Sequence, residues 1–157
     1  MRRLVPMIAI LILVLVPLSI GAEATTAQDI PQLSQGQEIT YYADGSYTIS
    51  TLSAAPAKAS IRTGSRSISF YNSKNEKQWT IAVSGTFSYN GSTATCTASS
   101  VSYTIHESIW KMSSATASRS GASAIGDFTV KRYLLLIPVQ TENVRVTVSC
   151  SPSGVLS

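Results

Sequence analysis

The sequence predicts an all-β fold, a small sandwich of about seven to nine strands, and three observations predict it. Apolar and polar residues alternate with period two over long stretches. Trp79, Ile81, Val83, Phe87 and Tyr89 interleave with Thr80, Ala82, Ser84, Thr86 and Ser88, and Val144, Val146, Val148 and Cys150 repeat the pattern near the end. Turn-forming residues recur at short intervals, and no segment beyond residue 37 carries a helical period. An immunoglobulin-like sandwich is the expectation, with a small closed barrel as the alternative.

The chain divides before the first strand. Arg2 and Arg3 precede an apolar run from Leu4 to Ile20, then Pro17 and Gly21 break any helix and Ala22-Glu23-Ala24 supplies small residues. That order reads as a secretory signal over residues 1–24, with cleavage after Ala24 and with Ala22 or Ala27 as other sites. An uncleaved anchor is the competing reading, because the run sits at the lower limit for spanning a bilayer. No cysteine lies near the cleavage site, which excludes a bacterial lipoprotein, and the arginine pair lacks the surrounding twin-arginine pattern. Loss of Arg2, Arg3 and Glu23 lowers the formal charge of +4 by one. Such a charge is ordinary solubility rather than a nucleic-acid or membrane footprint. The expected product is secreted, either free or loosely held at the cell surface, with no stable membrane insertion.

Residues 25–37 are polar and aperiodic, a flexible lead-in to a single β domain over 38–151, with 152–157 as a short tail. Glu38–Ala43 and Ser46–Leu52 flank Asp44-Gly45, which reads as a type I′ hairpin turn. Residues 53–60 form a small-residue connection. Ile68 and Phe70 share a face, and Asn72–Lys77 is a polar turn. In the long alternating strand Gly85 falls in the apolar phase, which marks a bulge or a close approach. Asn90-Gly91 reads as a second type I′ turn leading into Ser92–Ala98. The phase shifts at Ser99-Ser100 and again near Ser108, and Ser120-Gly121 separates two further strands. Tyr133–Val139 does not alternate, and Pro138 bars it from a central strand. It is either a buried strand or plug, or an exposed apolar loop that docks on a partner or membrane surface.

Cys96 and Cys150 are the only cysteines. Both fall in the inward phase, so a disulfide joining two packed sheets is expected, with two reduced, buried thiols as the alternative. The pair lacks the spacing of a redox-active motif.

Phe70-Tyr71-Asn72, Trp79-Thr80-Ile81, residues 85–97 (GTFSYNGSTATCT), Trp110 and the closing VRVTVSC run resemble short, uncharacterised secreted proteins of Gram-positive, often gut-dwelling bacteria. The likeness spans residues 60–157. It implies a bacterial origin and a fold style; no activity comes with it.

Catalytic chemistry has little to work with. His106 is the sole histidine, so it alone could serve a Ser–His–acid triad or a histidine metal site, and it reads instead as a strand-end residue. Asp29, Glu38, Asp44, Glu76, Glu107, Asp127 and Glu142 fall mostly in turns, and nothing selects a hydrolytic pair among them. Neither a calcium loop nor a phosphate loop is present in the sequence. Arg62 with Arg66, and Lys131 with Arg132, read as solvated cations or contacts for an anionic polymer or headgroup. Asn90-Gly91-Ser92 fits the glycosylation sequon, but turn chemistry accounts for it. Tyr41 and Tyr42 point to opposite faces, so one ring is available for stacking on a sugar or a partner protein, against cross-strand packing as the plainer role. The expectation is therefore a monomeric, non-enzymatic exported module without cofactor or metal. It would bind an extracellular glycan or protein and no nucleic acid. A small secreted effector, a bacteriocin-like toxin or an inhibitor, is the alternative.

Overall fold

The computed structural model describes residues 32–157, so the signal reading of 1–24 and most of the lead-in lie outside the described residues. Eight strands follow one another: β1 (Gln37–Tyr41), β2 (Tyr47–Ala54), β3 (Ile61–Tyr71), β4 (Lys77–Tyr89), β5 (Ala94–Ile105), β6 (Trp110–Ser120), β7 (Ser123–Leu134) and β8 (Ile137–Ser149). They form two antiparallel sheets, with no helix among the described residues. Sheet A has the order β1-β2-β3-β4-β5 and sheet B the order β6-β7-β8. Each strand pairs with its sequence neighbour, which corrects the immunoglobulin-like expectation: an immunoglobulin domain interleaves its strands between sheets through long connections. Here the connections are tight hairpins, and only the short crossover 106–109 changes sheets. The closed barrel fails as well, since β1 and β8 are edge strands of separate sheets.

The core lies where the alternating faces of β4, β7 and β8 meet. Ile81, Val83, Phe87, Val130, Val146 and Val148 are fully buried, each contributing ~1.5–3 kcal/mol by removing apolar surface from water. Gly85 is a site of close approach: a Cβ there would stand 2.5 Å from the Phe87 ring and 2.8 Å from Ala124 Cβ. The first phase shift is a β-bulge inside continuous β5, while the second, near Ser108, is the crossover 106–109 between the sheets. Thr86 pairs with Ala98 and Phe87 with Cys96, leaving Thr97 unpaired in β5, and Ser113 is the corresponding extra residue in β6. A third irregularity between Arg132 and Tyr133 sets Pro138 on β8, the edge strand.

Neither Asp44-Gly45 nor Asn90-Gly91 forms the expected type I′ turn, which needs positive φ at both central residues. In the first, Gly45 alone is left-handed (φ 79°). It closes a loop in which Tyr42 N–H donates to Ser46 O and Gly45 N–H to Tyr42 O. In the second, Gly91 (φ 86°) is the first central residue, and Asn90 uses its Oδ1 to accept from the Ser92 and Thr93 amides. The turn with both residues left-handed is Leu135-Leu136 (φ 46° and 71°), between Leu134 and Ile137 of the β7–β8 hairpin.

An antiparallel meander sends alternate turns to opposite ends. The β1–β2, β3–β4 and β7–β8 turns and the 106–109 crossover gather at one pole. The β2–β3, β4–β5 and β6–β7 connections and the tail after β8 gather at the other. The tail is docked. Ser149 and Ser157 exchange backbone hydrogen bonds, Cys150 bridges to Leu156, and the Leu156 side chain sits over Gly64, where an added Cβ would collide with it. All described pairings and the core fall within residues 32–157, one compact unit.

Candidate functional site

The seam between the inner faces of β2–β3 and the edge of β8 is filled by Leu156 at the tail pole and open at the other. Its floor is aromatic. Phe70 pairs in register with Trp79, so both rings take the inner face of sheet A, where they stack at 5.2 Å. Trp110, opening β6, meets Phe70 edge-on at 5.8 Å and Trp79 at 6.3 Å, and Tyr42 approaches Phe70 at 6.4 Å. Trp79 and Trp110 are 2 % and 3 % exposed, so Phe70 and Tyr42 present the accessible ring surface.

Two adjoining cavities open over this floor, about 390 Å³ and about 420 Å³, and they share Asp44, Ser46, Phe70 and Gln140. Those volumes fall in the range of small-ligand sites. The first is the more apolar, with Ile68, Trp79 and Val144 in its walls and Thr48 and Glu142 at its rim. The second is polar, with Glu76, Glu107, Lys74 and Arg132 around it. Four carboxylates therefore reach the mouth. Asp44, Glu76 and Glu107 arrive because the turns that carry them share one pole, and Glu142 because its phase on β8 faces inward opposite Val130.

Each of three carboxylates is tied to its own surroundings. Asp44 Oδ1 accepts from the Ser46 hydroxyl at 2.6 Å and the Ser46 amide at 3.0 Å, and these bonds hold its carboxyl below the usual value of 3.8. Glu76 accepts from Asn72 Nδ2 at 2.6 Å, and Glu142 from Gln140 Nε2 at 2.8 Å. Among the described residues no group of three or more His, Cys, Asp and Glu side chains is placed to hold a metal ion.

The two indoles differ in how they are satisfied. Trp110 Nε1–H donates to Gln78 Oε1 at 3.1 Å. Gln78 is itself a buried hub: its carbonyl accepts from the His106 and Glu107 amides, and its Nε2 donates to Glu76 O. Trp79 Nε1–H is buried with no acceptor. An unpaired buried donor costs about 1–3 kcal/mol, and this one belongs to a ring that walls the first cavity.

The other sequence-selected residues lie elsewhere. His106 Nε2 is 3.3 Å from Thr80 Oγ1, on the solvent face of sheet A and away from the cleft. Asp127 pairs with Arg145 at 2.7 Å on the outer face of sheet B. Tyr41 stacks in a cross-strand ladder with Tyr47 and Tyr71, capped by Lys77 at 5.3 Å, while Tyr42 turns to the cleft; both rings are half-exposed. Burial in that ladder, then neighbouring Tyr71 and Tyr41, push the Tyr47 hydroxyl above its usual range. Arg62 and Arg66 share the inner phase of β3, opposite Phe87 and Val83, and in both Nε is buried without an acceptor.

Cys96 and Cys150 are buried at the tail pole as free thiols, so the expected disulfide is not formed in this structure. Each Sγ–H has its own acceptor: Cys96 on Ala98 O at 3.2 Å and Cys150 on Ser151 O at 3.4 Å. Burial pushes both thiols above their ordinary range, against the pull of Arg119 on Cys96 and Arg62 on Cys150. Their amides donate to consecutive carbonyls of the β6–β7 turn, Cys96 to Gly121 O and Cys150 to Ala122 O.

Comparison with protein-family models, with curated proteins and with solved structures finds no match for this chain. The likeness to secreted bacterial proteins therefore carries no functional argument beyond the sequence itself.

Proposed function

We propose that residues 32–157 form an exported, non-enzymatic binding module that takes an extracellular glycan in the cleft over Phe70. The observation that carries this reading is the pairing of an aromatic floor with a rim of hydroxyl, amide and carboxylate groups. Sugars present apolar ring faces bounded by hydroxyls, so they match aromatic surface and planar polar partners together. Ser46, Thr48, Gln140 and Glu142 supply those partners from two sheets, which fixes orientation. On export to an oxidising compartment the two cysteines, anchored by amides on adjacent carbonyls, close the Cys96–Cys150 bridge and lock the opposite pole.

The test is binding of residues 32–157 to an array of bacterial-surface and host glycans, followed by titration of the rim variants Gln140→Ala and Glu142→Ala. Gln140 is exposed and Glu142 half-buried at the rim, so neither change opens the core. The reading expects saturable binding that each variant weakens by about tenfold, as for a lost charge-assisted or amide hydrogen bond. Silence across the array, or binding indifferent to both substitutions, would remove it.

A further inference from the structure

The β7–β8 hairpin projects beyond the body of sheet B and carries the most exposed apolar surface described. Leu135 and Leu136 are 89 % and 85 % exposed, flanked by exposed Leu134, Ile137 and Val139. The buried-plug expectation for residues 133–139 is thereby overturned. The segment passes the last β6–β7 pair, Trp110 with Arg132, and beyond Tyr133 its ladder is only the β7–β8 hairpin itself. Both tip leucines also hold left-handed φ, which disfavours any side chain with a Cβ. A two-residue turn of this geometry suits Asn-Gly. Leucines here cost the fold twice, in backbone strain and in hydration, and bury almost none of their surface in return.

The charge around the tip names an occupant. Lys111 and Lys131 are direct cross-strand neighbours on the outer face of sheet B, an arrangement of like charges that costs stability. Lys111 lies 5.4 Å over the Tyr133 ring, at the boundary between the cations and the leucines. Tyr133 N–H donates to Ile109 O, so the hairpin is fastened to the crossover at that level. The acids of this pole, Asp44, Glu76, Glu107 and Glu142, border the cleft instead, together with Arg132. From tip to base the order is leucines, then a tyrosine, then paired lysines. A lipid surface presents the complementary order, with acyl chains beneath an aromatic-friendly interface and anionic headgroups. Beyond Tyr133 the hairpin extends about 7 Å at the usual rise per strand residue, within the 5–10 Å depth of interfacial insertion.

We propose that the Leu134–Ile137 tip is a reversible docking element for an anionic lipid surface, with Lys111 and Lys131 taking the headgroups. The tip does not span the bilayer. It sets the cleft pole against the membrane and leaves the tail pole in solution. This proposal is independent of any glycan in the cleft.

Flotation of residues 32–157 with vesicles tests it, because that unit contains the core and every described strand pairing without the apolar run at 4–20. Binding is expected to vesicles of roughly 3:1 phosphatidylcholine and phosphatidylglycerol, falling about tenfold on phosphatidylcholine alone or in high salt. The double variant Leu135→Asn/Leu136→Gly should lose at least about tenfold in vesicle binding while its urea midpoint rises, since it gives the turn the residues its φ values favour. Lys111→Gln/Lys131→Gln should lose the preference for anionic vesicles. Absence of flotation on either vesicle overturns the proposal, as does flotation that the tip variant leaves unchanged. Self-association of the parent in sedimentation velocity, abolished by the tip variant, would assign the tip to a second copy of the chain instead.

Discussion

The two poles of the meander are built from the same strands and treat their apolar seam in opposite ways. At the tail pole the seam is sealed. Leu156 fills the space over Gly64, Tyr89 packs on Gly154, and Cys96 and Cys150 hang their amides on one turn. At the cleft pole it stays open over Phe70, four carboxylates line the mouth, and the adjacent hairpin tip exposes leucines. The exposed leucines of the hairpin tip and the open aromatic floor therefore sit at the pole that has no plug, whereas Arg62 Nε, buried without an acceptor, lies at the sealed one. The lesson is a division of labour: one end supplies stability, and the other carries groups that the fold itself does not use.

That division can be broken experimentally, beginning with the sealed pole. Oxidation of Cys96 and Cys150 to a disulfide should raise the unfolding free energy by ~4 kcal/mol, read as a shift in urea midpoint between oxidised and reduced protein. If the bridge forms without stabilising the protein, the tail pole is not where stability resides. Gly64→Val should cost about 1–3 kcal/mol by forcing Leu156 out of its seat, and Leu156→Ala about 1–2 kcal/mol because that side chain is only partly buried. A combined Gly64→Val/Leu156→Ala variant should fall well short of the sum, since both changes empty one contact.

The open pole should respond the other way. Gln140→Ala should leave the unfolding midpoint where it was and lower glycan affinity about tenfold. A midpoint change as large as that of Leu156→Ala would mean that the rim is structural. The smallest effect belongs to Asp44→Ala. The folded Asp44 carboxyl titrates below 3.8 because Ser46 stabilises its charged form, so its contribution is complete above that pH. It disappears as pH falls through the lower folded value. Melting curves of the two proteins should differ slightly near neutral pH and converge as the pH falls through the lowered value of the folded carboxyl.

How much of this was legible follows from what period and turn chemistry encode. The inward set Trp79, Ile81, Val83, Phe87, Val146 and Val148 was readable because half-buried strands impose period two. Gly85 and Pro138 announced a close approach and an edge strand. The bulge at Thr97 shows only as the phase slip at Ser99-Ser100, because one unpaired residue inverts every later side chain, whereas the bulge at Ser113 falls among small polar residues that carry no phase. Turn type was misread at Asp44-Gly45 and Asn90-Gly91, since it depends on which flanking residues close the ladder, and register is a long-range property. The true two-residue left-handed turn, Leu135-Leu136, carries no turn signal whatever.

The cleft was half-legible. Tyr42 and the acids were noted, and alternate turns of a meander must share a pole, so counting strands would have placed Asp44, Glu76 and Glu107 together. Glu142 and Gln140 could not be added without knowing that β8 faces the β2–β3 edge across the seam. Residues 152–157, read as a tail, gave no hint that Leu156 would seat on Gly64. A lone leucine beyond the last alternating strand has no period to reveal its partner.

The central claim is that the open seam over Phe70, walled by Trp79, is a binding site. Its most direct test is the indole region of the ¹⁵N–¹H spectrum of residues 32–157, titrated with the tightest glycan from the array. The account predicts that the Trp79 Nε1–H resonance, on the ring that walls the first cavity, moves on saturation more than that of Trp110, already bound to Gln78. A saturating glycan that shifts neither indole, or both equally, would contradict it.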